Sequence, residues 1–444
     1  MKIYNSYTDS LEEFKTFHPK QVNMYVCGPT VYNFIHIGNA RPVVFFDTVR
    51  RYLESKDYKV KFVSNFTDVD DKIIQKSLEE NIPELQLSGY YIEAFLNDLE
   101  ALNCKTDYIK PKVTEYMQHI IDYIKNLVDM GYAYEINGDV YFRVSKIRDY
   151  GALSNREIDD LISGSRVEVN ELKENPLDFT LWKKTETGLN FDSPFSVGRP
   201  GWHTECVAMI DDIFGEEIDI HGGGTDLKFP HHENEIAQAK ATHNHRVANY
   251  WMHNGRLDMK DIKMSKSLGN VIFVKDFEYK MPLRYFLLST HYRAPLNYSE
   301  ESFAMYIKEW EKLENTYKSL FYKLDIIDEL VKGTKVSNQD ILDEIKNFND
   351  AMDNDFNTAN AITALQGILK ITNLNLRKNN NQKILNELFV ALNYMVSILG
   401  FKIDANPVTD KDRDTYKKWQ DARKNKEFDK ADEYRKALIE KGIL

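Results

Sequence analysis

Cysteine is scarce in this 444-residue chain, which excludes a fold held together by disulfides. Cys27, Cys104 and Cys206 are too few, and odd in number, for a disulfide framework. We therefore expect reduced thiols that are either buried or bound to a metal ion.

Long apolar runs and an excess of positive charge are missing as well. No stretch approaches the roughly 20 apolar residues of a membrane span, and the first six residues lack the apolar run of a secretory signal. The net charge of −11 argues against a protein that coats nucleic acid non-specifically, although residues 410–444 carry 11 basic and 9 acidic side chains. We expect a monomeric, cytoplasmic protein of two to four domains, without a membrane partner and with any basic face at its C-terminal end.

The first 65 residues have the pattern of a βαβ unit. A strand is predicted from Gln21 to Cys27, a break at Gly28-Pro29, a helix from Gly38 to about Ser55, and a second strand from Lys59 to Asn65. This order of elements implies a parallel sheet.

The remaining pattern divides into three kinds of segment. Residues 87–130 read as helical, residues 141–198 as an insertion of irregular structure, and Glu217–His221 as a further strand. After about Ser299 the chain is nearly free of Pro and Gly up to Val396, which predicts a helical bundle, and a charged helical hairpin follows Pro407. The predicted fold class is α/β: a Rossmann-type parallel-sheet catalytic domain with an inserted domain, then an all-α helical bundle and a small C-terminal helical domain.

Two short motifs suit phosphate chemistry. His36-Ile37-Gly38-Asn39 opens a helix, where backbone N–H groups attract phosphate, but a His and an Asn that merely cap a helix would look the same. Lys263-Met264-Ser265-Lys266-Ser267 places two lysines around small residues, as in a mobile loop that closes on charged oxygens. A solvated basic loop is an equally good interpretation of the second motif alone.

A third cluster has the composition of a metal site. Seven of the 11 histidines lie between His203 and His253, and His231 and Glu235 are spaced i, i+4 at the start of a helix, on one face. Cys27 and Cys206 could complete a four-ligand set that suits zinc, or could be buried small hydrophobes. The sequence has no His-Glu-x-x-His, which excludes that type of metalloprotease.

Three glycines, Gly222 to Gly224, follow the strand at Glu217–His221. They would let a nucleotide approach the backbone at the carboxyl end of a strand, although a plain tight turn explains them as well.

Taken together, the two phosphate motifs resemble the signature pair of class I aminoacyl-tRNA synthetases. Further segments look like the cysteinyl members of that class, in the same order along the chain. These segments are Tyr25-Val26-Cys27-Gly28-Pro29-Thr30-Val31-Tyr32, Asn65-Phe66-Thr67-Asp68-Val69-Asp70-Asp71-Lys72, Pro200-Gly201-Trp202-His203-Thr204-Glu205-Cys206, Asp219-Ile220-His221-Gly222-Gly223-Gly224-Thr225-Asp226 and, more loosely, Met352-Asp353-Asn354-Asp355-Phe356-Asn357-Thr358.

The resemblance implies an enzyme that uses ATP, with Mg²⁺, to form cysteinyl adenylate from L-cysteine and then transfers the acyl group to tRNA(Cys). It assigns catalytic roles to His36, Asn39, Lys263 and Lys266. It assigns ATP binding to His36, Gly38, Asn39, Gly222, Gly223, Gly224, Asp226 and Lys266. Many class I members end the first motif in His, whereas Asn39 keeps a hydrogen-bond donor but cannot become cationic.

The resemblance also implies one zinc ion per chain, held by Cys27, Cys206, His231 and Glu235. A pocket alone discriminates near-isosteres by only about 1–3 kcal/mol, so a zinc ion that prefers a thiolate would reject serine. The residues expected to bind the substrate cysteine are Cys27, Gly28, Thr67, Trp202 and His231.

The resemblance divides the chain into six parts. These are 1–100 and 199–255 (two halves of the Rossmann-type domain), 101–198 (insertion), 256–310 (linking segment with the lysine motif), 311–403 (tRNA-binding bundle) and 404–444 (small anticodon-binding-like domain). Many cysteinyl members extend past the position of Leu444, so anticodon contacts are not assigned to residues.

Two other functions fit parts of the pattern. A ligase that joins cysteine to an amino sugar shares the adenylating core, but would not need the tail around Trp419 and Arg423, which looks like the final domain of the tRNA enzyme. A non-catalytic RNA-binding paralogue would be free to lose Lys266 and the ligand set, and this chain keeps them.

Overall fold

The computed structural model describes residues 1–155, 172–259, 262–263, 271–330, 335–378 and 381–443, with only the backbone of Ile262 and Lys263. The chain forms two compact units, one of Met1–Glu278 with Tyr292–Tyr298, and one of Tyr279–His291 with Ser299–Leu444. Within the described residues, no helix is long and apolar enough to cross a membrane. The six-part division made from the sequence stays a prediction.

The first unit combines strands and helices. In chain order its elements are β1 Lys2–Asn5, β2 Ser10–Glu13, β3 Gln21–Val26, α1 Ile37–Ser55, β4 Lys59–Val63, α2 Asp71–Glu80, α3 Glu84–Ala101, α4 Met117–Asp129, β5 Ala133–Ile136, β6 Asp139–Phe142, β7 Phe179–Lys184, β8 Gly198–Pro200, α5 Thr204–Phe214, β9 Ile218–Gly224, α6 Glu233–His243, β10 Ala248–Asn254, β11 Leu257–Met259, β12 Ile262–Lys263 and β13 Leu296–Tyr298.

The predicted parallel sheet is confirmed. Its strand order is β10-β9-β3-β4, and each neighbouring pair is parallel. Helix α1 forms the crossover between β3 and β4. Its residues Phe45, Val49 and Leu53 recur at helical spacing and are buried, which explains why this segment is an amphipathic helix. All four carboxyl ends therefore lie along one edge of the sheet, the edge where open α/β sheets bind ligands.

Most of the residues described between 141 and 198 lie in turns and irregular segments, as expected, but the expectation missed the strands that pass through this region. Strands β5 to β8 form an antiparallel sheet in the order β5-β6-β7-β8. Its strands are short, and β6 buries three consecutive residues, Val140 to Phe142, with a register shift between Val140 and Tyr141. Such strands lack the alternation by which a half-buried strand is recognised.

The helical pattern expected over residues 87–130 is confirmed for α3 and α4, which cover most of the stretch, but the chain is not helical throughout the segment between them. In this segment the chain runs beside the edge strand β4, where Ser64 N donates to Ile109 O at 3.1 Å. A backbone pairing of this kind overrides the helical preference of the sequence.

The second unit is helical, as predicted. Its helices are α7 Lys280–Leu288, α8 Glu300–Asp325, α9 Gln339–Asp353, α10 Thr358–Arg377, α11 Gln382–Leu399, α12 Asp410–Lys424 and α13 Phe428–Ile439. Leu320, Phe348, Ile368, Leu388 and Leu392 lie on four different helices and are fully buried, which forms the bundle core. The last two helices are the expected charged hairpin, packed on each other.

Candidate active site and metal centre

The predicted metal ligands meet at the carboxyl edge of the parallel sheet. Cys27 follows β3, and its backbone N–H donates to Gly222 O of β9 at 3.1 Å. Cys206 lies in the first turn of α5, and Glu235 in the first turn of α6. His231 belongs to a helical turn, Lys228–His232, that leads directly into α6.

The distances between the four ligand atoms come close to those of a tetrahedral metal site, with the His231–Glu235 pair somewhat shorter. Cys27 Sγ lies 3.9 Å from Cys206 Sγ, 3.5 Å from His231 Nε2 and 3.7 Å from Glu235 Oε1, and the last two atoms are 2.9 Å apart. Zinc bonds of about 2.3 Å to sulfur and about 2.0 Å to nitrogen or oxygen require roughly 3.3–3.8 Å between tetrahedral ligands. The four atoms lie within 4.8 Å of one another, so these residues can hold a zinc ion.

The electrostatics of the cluster favour a cation. Although burial opposes it, the charges of His221 and His231 hold the pKa of Glu235 well below its usual range. A hydrogen bond from Cys27 lowers the pKa of Cys206 to about 6, against the effect of burial. The site therefore keeps a thiolate and a carboxylate near neutral pH. Although burial opposes it, Glu235 and Cys206 raise the pKa of His231 to about 10, so this negative charge holds a proton on His231, and a metal ion would displace that proton.

Further histidines around the cluster were not singled out from the sequence. His232 Nε2 lies 3.3 Å from Cys27 Sγ, and His221 Nε2 lies 2.7 Å from Glu235 Oε2. Cys27, Glu235 and these two histidines form a second set of possible metal ligands. His232 Nδ1 is in turn 2.8 Å from His253 Nε2 on β10. The only hint of these histidines in the sequence is the high density of histidine between residues 203 and 253. That density does not tell which histidines bind a metal ion and which only contact the ligands.

Asn65, in the loop after β4, and Glu205, in the first turn of α5, lie beside the cluster. The side-chain oxygen of Asn65 accepts from Gly28 N at 2.9 Å and lies 3.9 Å from Cys206 Sγ. Thr67, predicted to bind the substrate cysteine, is buried and donates its hydroxyl to Glu205 at 2.6 Å. Thr67 is not among the residues that line the cavity described below, and its role in cysteine binding stays a prediction.

The first phosphate motif opens helix α1 as predicted. His36 is the N-cap residue, and its Nδ1 accepts from Asn39 N at 3.3 Å. A Cβ at Gly38 would lie 3.0 Å from the His36 ring, so the absence of a side chain at Gly38 makes room for the imidazole. The capping interpretation leaves little for a phosphate: Ile37 N donates to Ile272 O, and Asn39 N and Ala40 N donate to His36 O. Among the described residues, the Gly38 N–H is the group of the first turn that stays available to a ligand.

The second phosphate motif lies largely outside the described residues. The backbone of Lys263 belongs to β12, whereas its side chain and residues 264–270, with Lys266, are not described. The segment that follows pairs with the first motif: Ile37 N donates to Ile272 O at 3.0 Å, and Val274 N donates to Ile35 O at 2.9 Å. The described chain that follows the lysine motif, from Ile272 to Val274, therefore runs directly beside His36.

The three glycines have different surroundings. A Cβ at Gly222 would lie 2.1 Å from the Phe46 ring of α1, and one at Gly223 would lie 2.8 Å from the Leu227 side chain. Gly222 and Gly223 thus allow close packing inside the unit. Gly224 precedes Asp226, whose carboxylate lies where a Gly224 side chain would be. The tight turn allowed for in the sequence is not present, since β9 continues through Gly224.

A cavity of about 1040 Å³ joins the two regions. Trp202, with 42% of its surface exposed, stacks at a tilt on His231, with 4.5 Å between ring centroids. From the metal cluster to the helix opening, the predicted residues that line the cavity are Cys27, Gly28, Trp202, His36, Gly38, Asn39, Gly223, Gly224 and Asp226. A cavity of this size holds a nucleotide and an amino acid together.

Comparison with known proteins decides the family. Residues 13–308 match the catalytic domain of class I (C) tRNA synthetases, and residues 347–404 match the DALR domain. A protein named cysteine–tRNA ligase from Geobacillus sp. (strain WCH70) is 45% identical over 100% of this chain and 97% of its own length. The chain belongs to the cysteine–tRNA ligase family. A protein from Acholeplasma laidlawii (strain PG-8A), also named cysteine–tRNA ligase, is 44% identical over the full length of both chains.

Solved structures of two other tRNA synthetases have the same fold as this chain, at low sequence identity. The Mycobacterium tuberculosis methionyl-tRNA synthetase in complex with methionyl-adenylate covers 86% of the chain and 90% of its own, with a TM-score of 0.60 and 16% identity. The Agrobacterium radiobacter K84 agnB2 LeuRS, in a ternary complex with tRNA and LeuAMS, covers 88% and 84%, with a TM-score of 0.61 and 11% identity. The class I synthetase fold expected from the sequence is confirmed.

Proposed function

We propose that this protein is a cysteine–tRNA ligase that selects its amino acid at a zinc site. The observation that carries the proposal is that Cys27, Cys206, His231 and Glu235 converge within 4.8 Å. Cys27 of this set lines a cavity that also reaches His36 at the opening of α1. The end at Cys27 suits a thiol and the end at His36 suits phosphate. One cavity thus offers a place for each reactant of an adenylation.

In the first step, the carboxylate of cysteine attacks the α-phosphate of ATP, which gives cysteinyl adenylate and pyrophosphate. His36 and the Gly38 N–H at the start of α1 would bind the phosphates, and Lys266, with Lys263, would neutralise charge that develops as the triphosphate breaks. Mg²⁺ would accompany the ATP. Catalysis by position and charge requires no protein nucleophile, and we assign none.

Selection of cysteine would take place at the thiol end. When bound, a zinc ion offers a soft ligand position that a thiolate fills far better than the hydroxyl of serine. Cys27, Cys206, His231 and Glu235 would hold that ion, and Trp202, stacked on His231, would close the pocket beside it. Gly28 lines the cavity, and its lack of a side chain lets the chain after Cys27 pack against the backbone of Asn65.

The test is cysteine-dependent exchange of radiolabelled pyrophosphate into ATP, followed by charging of purified tRNA(Cys). We expect exchange with cysteine, at least 100-fold weaker exchange with serine, and acylation of the tRNA. Exchange together with acylation of an amino sugar instead of tRNA would assign the chain to the sugar ligases. Binding of tRNA without any exchange would assign it to the non-catalytic paralogues. The expected monomeric state and cytoplasmic location stay predictions.

A further inference from the structure

The two thiols of the metal cluster reach it on separate elements. Cys27 follows β3 and Cys206 lies in the first turn of α5, so neither element by itself fixes the distance of 3.9 Å between the two Sγ atoms. One buried side chain outside the proposed ligand set, that of Asn65, contacts both parts of the chain. These two contacts make Asn65 a candidate for the group that holds the thiols together.

The first contact of Asn65 fixes the backbone around Cys27. The side-chain oxygen of Asn65 accepts from Gly28 N at 2.9 Å, and Cys27 N donates to Gly222 O at 3.1 Å. Both peptide groups that flank the Cα atom of Cys27 are therefore held by hydrogen bonds. Because a peptide group is planar and only φ and ψ are soft, holding both groups fixes the direction of the Cα–Cβ bond. The Cβ atom of Cys27 thus has a fixed position relative to β9 and to the loop after β4.

The second contact reaches the turn that carries Cys206. Cys206 Sγ lies 3.9 Å from the same oxygen of Asn65. The side-chain nitrogen of Asn65 donates to Thr67 Oγ1 at 3.4 Å, and the Thr67 hydroxyl donates to Glu205 at 2.6 Å. Glu205 is the residue before Cys206 in the first turn of α5. Asn65 is therefore linked to this turn twice, through the thiol and through the residue beside it.

Asn65 is itself held firmly in place. It is only 1% exposed, and the backbone N–H groups on both sides of it are bonded to a neighbouring segment. Ser64 N donates to Ile109 O at 3.1 Å, and Phe66 N donates to Pro111 O at 2.8 Å. The Asn65 side chain therefore provides a fixed support for the two thiols.

Asn65 is separate from the groups that would bind the ion and the reactants. It is not one of the residues that line the cavity, and it belongs to neither set of possible metal ligands. Its influence on the proposed reaction must therefore pass through the residues that it contacts. Outer groups that orient metal ligands typically account for about 10–100-fold in metal affinity.

We propose that Asn65 is a positioning residue of the metal centre, which holds the chain at Gly28 and the turn at Cys206 so that both thiols face one point before an ion binds. The proposal rests on the proposed function, which places zinc at this cluster. It adds a residue that binds neither the ion nor a reactant. Without the Asn65 amide the two thiols are free to separate, and metal affinity falls because the ligands must be brought together when the ion binds.

The test compares Asn65→Ala with Asn386→Ala in the full chain. Asn386 on α11 is also buried, at 4% exposure, and its side-chain nitrogen donates to Glu329 O at 2.8 Å and to Gln382 O at 3.1 Å. Its replacement removes a hydrogen-bonded amide from the other compact unit. Zinc is removed from each protein, and the zinc dissociation constant is then measured by competition with a chromophoric chelator. Urea unfolding of the zinc-free proteins measures what each substitution costs the fold.

For Asn65→Ala we expect a zinc dissociation constant at least about 10-fold higher than that of the unaltered protein, and for Asn386→Ala a change of less than about twofold. Cysteine-dependent pyrophosphate exchange by Asn65→Ala is weak at limiting zinc and recovers at saturating zinc, whereas Cys206→Ser, which lacks a ligand, does not recover. The KM for ATP is unchanged in Asn65→Ala. Asn65→Ser, whose shorter side chain cannot reach Gly28 N, gives the same result and replaces Asn65→Ala if that variant does not fold.

An unchanged zinc dissociation constant in the Asn65 variants would overturn the proposal. An equal rise in Asn65→Ala and Asn386→Ala would do the same, because loss of stability alone would then explain it. Exchange that saturating zinc does not restore would also contradict the proposal, since Asn65 would then act on the reactants and not on the ligands. Failure of the proposed function is a separate result, because the unaltered protein would then lack both tight zinc binding and exchange.

Discussion

At the scale of single residues, Cys206 is the ligand whose replacement tests the metal centre most directly. Cys206→Ser removes a thiolate that lies 3.9 Å from Cys27 Sγ and is almost completely buried. We expect the variant to lose most of its zinc, measured by atomic emission, and its cysteine-dependent pyrophosphate exchange, because a hydroxyl is a poor soft-metal ligand. Near-normal zinc content and exchange would refute the metal assignment.

Cys104→Ser is the matched control for that substitution. Cys104 is a buried thiol that belongs to neither set of possible metal ligands. We expect its replacement by serine to leave the zinc content at the level of the unaltered protein. The same exchange of sulfur for oxygen then separates loss of a ligand from loss of a buried thiol.

Gly28 tests how tightly the cysteine-binding backbone is packed. A Cβ on Gly28 would lie 1.6 Å from the backbone oxygen of Asn65, so Gly28→Ala must displace the chain next to Cys27. We expect a loss of about 1–3 kcal/mol in the free energy of unfolding by urea and a higher KM for cysteine. Gly89→Ala on helix α3 meets nothing within 4 Å and should stabilise by up to about 1 kcal/mol. Equal effects of the two substitutions would contradict this packing.

The metal ligands could be predicted from the sequence only with the help of family resemblance. The i, i+4 spacing of His231 and Glu235 is a local pattern, and the structure brings these two side chains within 2.9 Å. Cys27 and Cys206 are 179 residues apart, and no local pattern joins them. The roles of His221 and His253 depend on the parallel register of β9 and β10, which pairs Trp251 with His221 and His253 with Gly223. Such a register is set by tertiary packing.

At the scale of elements, helix α11 holds the start of helix α9 through one buried carboxylate. Glu387 accepts hydrogen bonds from the backbone N–H groups of Ser337 and Asn338 at 3.0 and 2.8 Å and from the Ser337 hydroxyl at 2.8 Å. Although burial opposes it, these hydrogen bonds hold the pKa of Glu387 below its usual value. The charged form is therefore the one that the folded bundle stabilises.

Glu387→Gln should destabilise the protein by about 1–2 kcal/mol at pH 7, since hydrogen bonds to a charged acceptor are stronger than those to an amide. Because the pKa is depressed in the folded state, this stabilisation is complete above the usual glutamate pKa and is lost as the pH falls through the folded value. Urea unfolding of both proteins between pH 7 and pH 3 should show the difference shrink on acidification. Glu311→Gln, an exposed change on α8, should alter stability by less than about 0.5 kcal/mol. A pH-independent difference for Glu387→Gln would refute the role of its charge.

Long periodic elements could be predicted from the sequence, and short ones could not. Helix α1 begins within one residue of the predicted start because Phe45, Val49 and Leu53 mark one buried face. The antiparallel sheet of β5 to β8 was missed, since β8 has only three residues and β6 buries both of its faces. In strands of this length, pairing with the neighbours decides the structure more than composition does.

At the scale of the whole molecule, a bound zinc ion would tie together separate parts of the first unit only. Chelation of the ion from the purified protein should lower stability by about 4 kcal/mol if the free ion exceeds its dissociation constant 1,000-fold. Hydrogen exchange followed by mass spectrometry should localise the loss of protection to the end of β3, to α5 and to α6. The bundle helices α10 and α11 should keep their protection. A uniform increase in exchange over both units, or no change after removal of the metal, would contradict this.

The arrangement of the ligands also sets the order in which the centre can form during synthesis. Cys27 leaves the ribosome 208 residues before Glu235, which at about 5–20 residues per second is a delay of roughly 10–40 s. A nascent chain that ends before residue 231 has two thiols but neither partner from the turn before α6, so it cannot capture the ion with full affinity. Stalled chains ending at residue 220 should therefore lose zinc to a weak chelator that chains ending at residue 300 resist. Tight binding of the metal ion would therefore begin only after more than half of the polypeptide has been made.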